Sequence, residues 1–366
     1  MVQPPLWLIL LAFVGALGPL VFFHELGHYL VARMFKVPAE VFSIGFGREI
    51  LGWTDKQGTR WKVGWLPLGG YVRFVGDMSP ASEPVDESHI PPELRARAFQ
   101  LRPVWQRFLI VLAGPAANFL LAIVIFAAFF SLIGTPRTNI VGGISPNSAA
   151  AAAGLQPGDK ILSVAGRETS TFDDIFNVVA VRPAETVSIA VERSGSMRRI
   201  RVTLGTATVE DPSGQQFERG LLGVAPTTEI SSPVPLYRAV PMAVVYTARL
   251  TRAIVDGLAQ LIRGHISPKQ LGGPIKIAQV AGQGASLGAL PFVELLALLS
   301  INLGFINLLP VPMLDGGHLF FYAVEAVRRR PLSARAMEWA FRGGLAAILA
   351  LLVFTTVNDL GSLGLW

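Results

Sequence analysis

The chain has 366 residues, of which 51% are apolar and only 15% charged, and its mean hydropathy is positive; that composition is too apolar for an ordinary soluble globule. It contains no cysteine, which excludes a disulfide framework, a thiolate metal site and a cysteine nucleophile, so any metal must be held by His, Asp or Glu. The formal charge of +6 is not gathered into one aromatic-laced stripe, so it speaks for membrane topology and against a nucleic-acid partner.

The first apolar run, residues 6–34, is long enough for a transmembrane helix, which needs about 20 residues. No basic residue precedes it and no small-residue cleavage pattern interrupts it, so it reads as a retained span rather than a signal peptide. It ends in FFHELGHY. His24 and His28 are four apart and share a helix face, with Glu25 beside them. This is the HExxH arrangement: two neutral imidazoles supply zinc ligands, a third ligand fixes the ion, and the carboxylate can take a proton from water. As five letters the motif is weak. In a lipid-soluble run, however, each ionisable group costs about 2.5–3.5 kcal/mol, so three of them imply a function.

Residues 37–103 carry the β-like runs VFSIGFGREILGW and TRWKVGWLPLGGYVRFVG, broken by glycines and a proline. They are expected to fold as a hairpin re-entering the membrane under the shield of protein. An edge strand there, at Gly69, Gly70 and Tyr71, would pair with an unwound substrate and replace its lost helical hydrogen bonds; an ordinary cytoplasmic hairpin is the alternative. The second span is expected over 104–134, where Gly114 and Asn118 read as small and polar packing positions.

Residues 135–206 alternate β-like runs (KILSVAG, TVSIAVER, RRIRVTL) with turns and a short helix. The stretch ISPNSAAAAAGLQPGDKILSVAG resembles the core of a PDZ domain, which implies a groove for an extended peptide; a steric cap is the alternative. A linker around DPSGQQ and SSPVP follows within 207–288, then a helix over 240–263 with Arg249, Arg252, Asp256 and Arg263 among apolar positions, suited to the membrane interface. The third span, 289–318, ends in NLGFINLLPVPMLDGGHLF, whose polar groups are Asn307, Asp315 and His318. Either Asp315 or His318 could be the third metal ligand, and spacing does not choose; Asp315 could instead cap the turn opened by the glycines. A cytoplasmic loop, 319–342, and a fourth span within 343–366 complete the chain.

Arginines and lysines flank the spans on one side: Arg33 and Lys36, then Arg95 to Arg107, then Arg328 to Arg335. These loops are therefore expected in the cytoplasm, with both termini and the long segment from Gly134 on the opposite side.

HELGH, GPAANF (114–119), LGGP (271–274) and NLLPVPMLDGG (307–317), in that order and with the external domain, resemble the site-2 protease family of intramembrane metalloproteases, on its bacterial RseP-like branch. The likeness covers nearly the whole chain. It implies a polytopic α-helical membrane protein of about four spans, with a membrane-associated β-hairpin and an inserted extracytoplasmic PDZ-like α+β domain. It further implies Zn2+ held by His24, His28 and Asp315, Glu25 as catalytic base, and Asn307 holding the substrate backbone. The implied substrate is a single-pass membrane protein cut within the bilayer of the bacterial inner membrane, such as an anti-sigma factor or a remnant signal peptide. Members of that branch often carry two PDZ domains, whereas one is found here. A membrane-anchored peptidase of soluble or misfolded chains and a non-catalytic PDZ scaffold are the rival readings.

Overall fold

A computed structural model describes residues 4–76, 92–134, 138–210, 216–227, 232–265 and 267–362. Part of the expected re-entrant region (77–91), most of the expected linker at DPSGQ (211–215) and the tail beyond 362 lie outside the described residues. The elements run α1 (Leu6–Met34), β1 (Ala39–Thr54), β2 (Arg60–Phe74), α2 (Pro92–Arg95), α3 (Val104–Leu132), β3 (Val141–Ile144), α4 (Ala149–Ala152), β4 (Lys160–Val164), β5 (Arg167–Glu168), α5 (Phe172–Ala180), β6 (Thr186–Arg193), β7 (Ser196–Thr203), β8 (Gly205–Glu210), β9 (Gln216–Leu221), β10 (Val224–Pro226), α6 (Leu236–Ile262), α7 (Pro274–Ser286), α8 (Ala289–Leu308), α9 (Asp315–Arg328) and α10 (Ala334–Ser362). Among the described residues four helices, α1, α3, α8 and α10, are long and apolar enough to cross a membrane.

The chain divides into two units. The first comprises Met1–Ala122 and Ile277–Phe354. Here α1 stops at Lys36, which adopts a left-handed φ of 59°; the Lys36 and Val37 N–H groups donate back to Arg33 and Ala32, satisfying carbonyls that the helix end would orphan. β1 and β2 then form a doubled hairpin. Residues 41–44 pair on one side with 60–63 and on the other with 70–73, while 51–54 pair with the far side of 60–63. Gly45, at φ 84°, sits at the corner, where an added Cβ would lie 2.8 Å from Leu66 O. The 70–74 segment is thus a sheet edge, packed towards α1. Tyr29, Phe42, Phe74, Phe99 and Ile110 fill the core beneath it, with Phe42 stacked on Trp61 at 4.2 Å. Phe46, Ile50, Leu51, Trp53 and Trp65 are left exposed.

The third apolar segment, expected over 289–318, is interrupted at its prolines. α8 ends at Leu308, the proline-containing stretch 309–314 breaks the helix, and α9 starts afresh at Asp315. The following stretch, 319–342, is largely helical, belonging to α9 and the start of α10.

The second unit comprises Ile123–Lys276 and Thr355–Trp366. A four-stranded sheet of order β5-β4-β6-β7 packs with α4 and α5 around Ile161, Val164, Ile175, Ile189 and Val191. The compact region extends past residue 206: β8 pairs with β9, β10 pairs back onto β3, and Leu222 joins the core. α6 is tied to this body by charge. Asp256 accepts from Arg182 and Arg167, each at 2.6 Å. In the LGGP stretch, the Gly273 and Lys276 N–H groups donate to Asp359 at 3.0 Å, setting a carboxylate at the N-terminus of α7.

Candidate active site

Both histidines and Glu25 lie on one continuous helix, α1, and all three are buried. Three atoms converge: His24 Nε2 and His28 Nε2 are 3.3 Å apart, and Asp315 Oδ2 lies 3.1 and 3.4 Å from them. Among the described residues these three are the one group of His, Asp or Glu so placed. His318, one turn on, is not part of it; its ring packs on Phe341 at 5.2 Å. Asp315 does not cap a helix with its side chain either, since the N-cap of α9 is Leu314. Gly316 and Gly317 let the first turn of α9 sit directly on the 308–312 backbone, where added Cβ atoms would fall 2.2 Å from Leu309 O and 2.5 Å from Val311 O. That close seat turns Asp315 towards α1.

The donor set fits zinc. Ligands at about 2.0–2.1 Å around a tetrahedral ion stand about 3.3–3.4 Å from one another, and the observed edges are close to that. Asp315 Oδ2 accepts no well-formed hydrogen bond although buried; it is aimed at the same point as the imidazoles rather than at either of them. The rear nitrogens are also held, as zinc-binding histidines require. His28 Nδ1 lies 2.8 Å from Ile110 O, and His24 Nδ1 lies 3.0 Å from the Asn118 carboxamide.

These residues open onto a cavity of about 880 Å³ lined also by Gly69, Gly70, Tyr71, Asn307 and His318. The Val72 N–H donates to the Glu25 carboxylate, and an added Cβ on Gly70 would come 3.1 Å from Glu25 Cγ. The 70–74 edge therefore runs beside Glu25. Every residue singled out in the sequence for catalysis, metal or substrate lines this one cavity. Sequence reasoning preferred packing for Gly114 and kept packing as the alternative for Asn118. In the structure an added Cβ on Gly114 would overlap the His28 ring, and Asn118, fully buried, touches His24. The signal available for Asn118 was an amide in the middle of an apolar run.

A family model described as Peptidase family M50 matches residues 12–351. The chain belongs to Peptidase family M50. It is 42% identical over 358 residues to "Putative zinc metalloprotease Atu1380" of Agrobacterium fabrum, covering 96% of this chain and 95% of that one. It is 44% identical over 356 residues to "Putative zinc metalloprotease R01501" of Rhizobium meliloti, with 95% of each chain covered. With "Metalloprotease MmpA" of Caulobacter vibrioides it shares 39% identity over 381 residues, 96% of this chain and 95% of the relative. As an M50 peptidase of the site-2 protease type, the chain is a zinc-dependent metalloprotease of the membrane.

Proposed function

We propose that this M50 peptidase cleaves the transmembrane segment of single-pass membrane proteins, with His24, His28 and Asp315 holding zinc and Glu25 as general base. The observation that carries the reading is the triangle of His24 Nε2, His28 Nε2 and Asp315 Oδ2, set between helices apolar enough for lipid. Zinc, when bound, supplies Lewis acidity that eases deprotonation of water and polarises a peptide carbonyl. Glu25, next to the two histidines and facing the cavity, takes the proton from the attacking water and returns it to the leaving amine. The 70–74 segment has no strand on its outer side among the described residues and can add a substrate strand, which an unwound transmembrane helix needs once its own hydrogen bonds are broken. Asn307, in the last turn of α8, lines the same cavity and is suited to bond the backbone of that strand.

The arginine-flanked loops support a topology with the active-site end of α1 on the cytoplasmic side of a bacterial inner membrane and both termini and the 138–227 domain outside. The exposed Phe46, Ile50, Leu51, Trp53 and Trp65 suit a hairpin dipping into lipid. The 138–227 domain serves as a PDZ-like module, binding an extended peptide or limiting the size of what reaches the protease. Substrates of this kind include an anti-sigma factor or a remnant signal peptide.

The test is purified enzyme in liposomes with a transmembrane substrate. Glu25→Gln is expected to keep zinc and to lose about 10²–10⁴-fold in turnover. Undiminished cleavage would remove Glu25 from its role, and rapid cutting of a water-soluble unfolded protein in place of the embedded one would shift the substrate class.

A further inference from the structure

One helix backs both imidazoles. On α3, Ile110 O faces His28 Nδ1 at 2.8 Å and the Asn118 carboxamide faces His24 Nδ1 at 3.0 Å. A carbonyl oxygen only accepts, so neutral His28 carries its proton on Nδ1 and offers a bare Nε2. A carboxamide can act either way. With Nδ2 turned to His24, the amide donates to Nδ1, the His24 proton sits on Nε2, and the buried Asn118 Oδ1 meets no donor. A half-turn about χ2 exchanges the two ends: Oδ1 then accepts from His24 Nδ1–H, and Nε2 is bare like that of His28. A ring nitrogen that bears a proton has no lone pair for a cation, so only the second arrangement is compatible with zinc.

We infer that Asn118 is a positioning residue of the metal centre, whose carboxamide oxygen accepts the His24 Nδ1–H and so fixes the tautomer that takes zinc. The inference rests on the reading of His24 as a ligand. Asn118 is well placed for the task because its own backbone is held. Its carbonyl accepts from Ser300 Oγ at 2.8 Å, and α8 passes so close at Gly304 that an added Cβ there would lie 3.3 Å from Asn118 Cβ. The amide thus projects from a fixed base onto the imidazole.

The experiment measures zinc affinity of the purified full chain by competition with a graded chelator, together with thermal unfolding of the zinc-free protein. Asn118→Leu, similar in shape but without an acceptor, is expected to bind zinc about 10–100-fold more weakly, with zinc-free unfolding unchanged. Asn118→Asp keeps an acceptor and removes the donor, and is expected to bind at least as tightly as the native chain. Ser300→Ala, which loosens the Asn118 backbone without removing the amide, is expected to weaken zinc binding less than Asn118→Leu does. Native affinity in Asn118→Leu overturns the inference, as does an Asn118→Asp as weak as the leucine variant, or a Ser300→Ala loss of equal size, which assigns the effect to packing. Should Asn118→Leu fail to fold, Asn118→Asp decides alone: tight binding supports the role and weak binding overturns it. His24→Ala is run beside them, and if it retains zinc, the reading of His24 as a ligand falls and the outcome at Asn118 is separated from it.

Discussion

Gly114→Ala is a small change that reaches the candidate metal centre without replacing a proposed ligand. An alanine Cβ at this position would sit 2.1 Å from His28 Nε2, 2.4 Å from Cε1 and 2.8 Å from Cδ2. The packing optimum is about 3.5 Å, so the deficit is roughly 1.4 Å. The His28 ring cannot simply slide away, because its Nδ1 is engaged with Ile110 O on the same helix. Either the ring leaves the triangle with His24 and Asp315, or α3 moves off α1. A 1.4 Å shift far exceeds the tolerance of about 0.2 Å in metal–ligand distances, and misplacement on this scale costs on the order of a hundredfold in turnover. Overpacking itself costs about 1–3 kcal/mol, against the roughly 1 kcal/mol that alanine gains over glycine in a helix. Zinc content after dialysis against a chelator, and turnover on an embedded substrate, are therefore both expected to fall in Gly114→Ala. Gly18→Ala, on α1 with nothing within 4 Å of the added carbon, is expected to leave both unchanged. Full zinc and full turnover in Gly114→Ala would refute the close approach of α3 to His28.

Asp315→Ala is expected to lose zinc whereas His318→Ala retains it, as metal analysis of the purified variants will show; the opposite result would exchange their roles. Gly70→Ala places a carbon 2.6 Å from Ser43 O and from Val21 Cγ1 and 3.1 Å from Glu25 Cγ. It should displace the 70–74 edge, lowering turnover while zinc content stays native. In the 138–227 domain, burial raises the Asp159 pKa, but the Arg193 hydrogen bonds at 2.6 and 2.7 Å, the Gln156 N–H and the charges of Arg193 and Arg198 together outweigh it and hold the carboxyl below its ordinary value. A depressed folded pKa gives stability that is present above the unfolded value of about 3.9 and is lost as pH falls through the folded one. Arg193→Gln is accordingly expected to make the domain susceptible to acid proteolysis at a higher pH than in the native chain, and an unchanged pH threshold would count against the pair.

The spans and the HExxH face were legible because both depend on local pattern: apolar length for the helices, and a separation of four for His24 and His28. The choice between Asp315 and His318 was not legible from spacing, because two residues three apart on a helix can face the same way. It depends on the helix break at 309–314 and on how closely Gly316 and Gly317 seat α9. The pairing of β10, three residues long, with β3, about 80 residues earlier, leaves no local pattern to read. The charged residues of α6 suggested a membrane interface; in the structure Asp256 meets Arg167 and Arg182, and Arg249 meets Asp174. A helical charge pattern is the same whether its partner is a lipid headgroup or a neighbouring domain, so no local signal could separate them.

The three positions of α3 that meet the histidines, Ile110, Gly114 and Asn118, are each four apart and form one row along the helix, matching the four-residue interval on α1. Their order is instructive: a carbonyl acceptor, a position with no side chain, then a carboxamide. The middle position makes the other two possible, since Gly114, with Gly27 opposite Ala113 and Ala117, brings the backbones close enough for Ile110 O to reach an imidazole directly. At the far end of the row the helices leave room for a side chain, and an amide spans the gap to His24. The orientation of both imidazoles thus follows from the separation of two apolar helices, so helix packing and metal affinity in this protease should respond together to any change along that row.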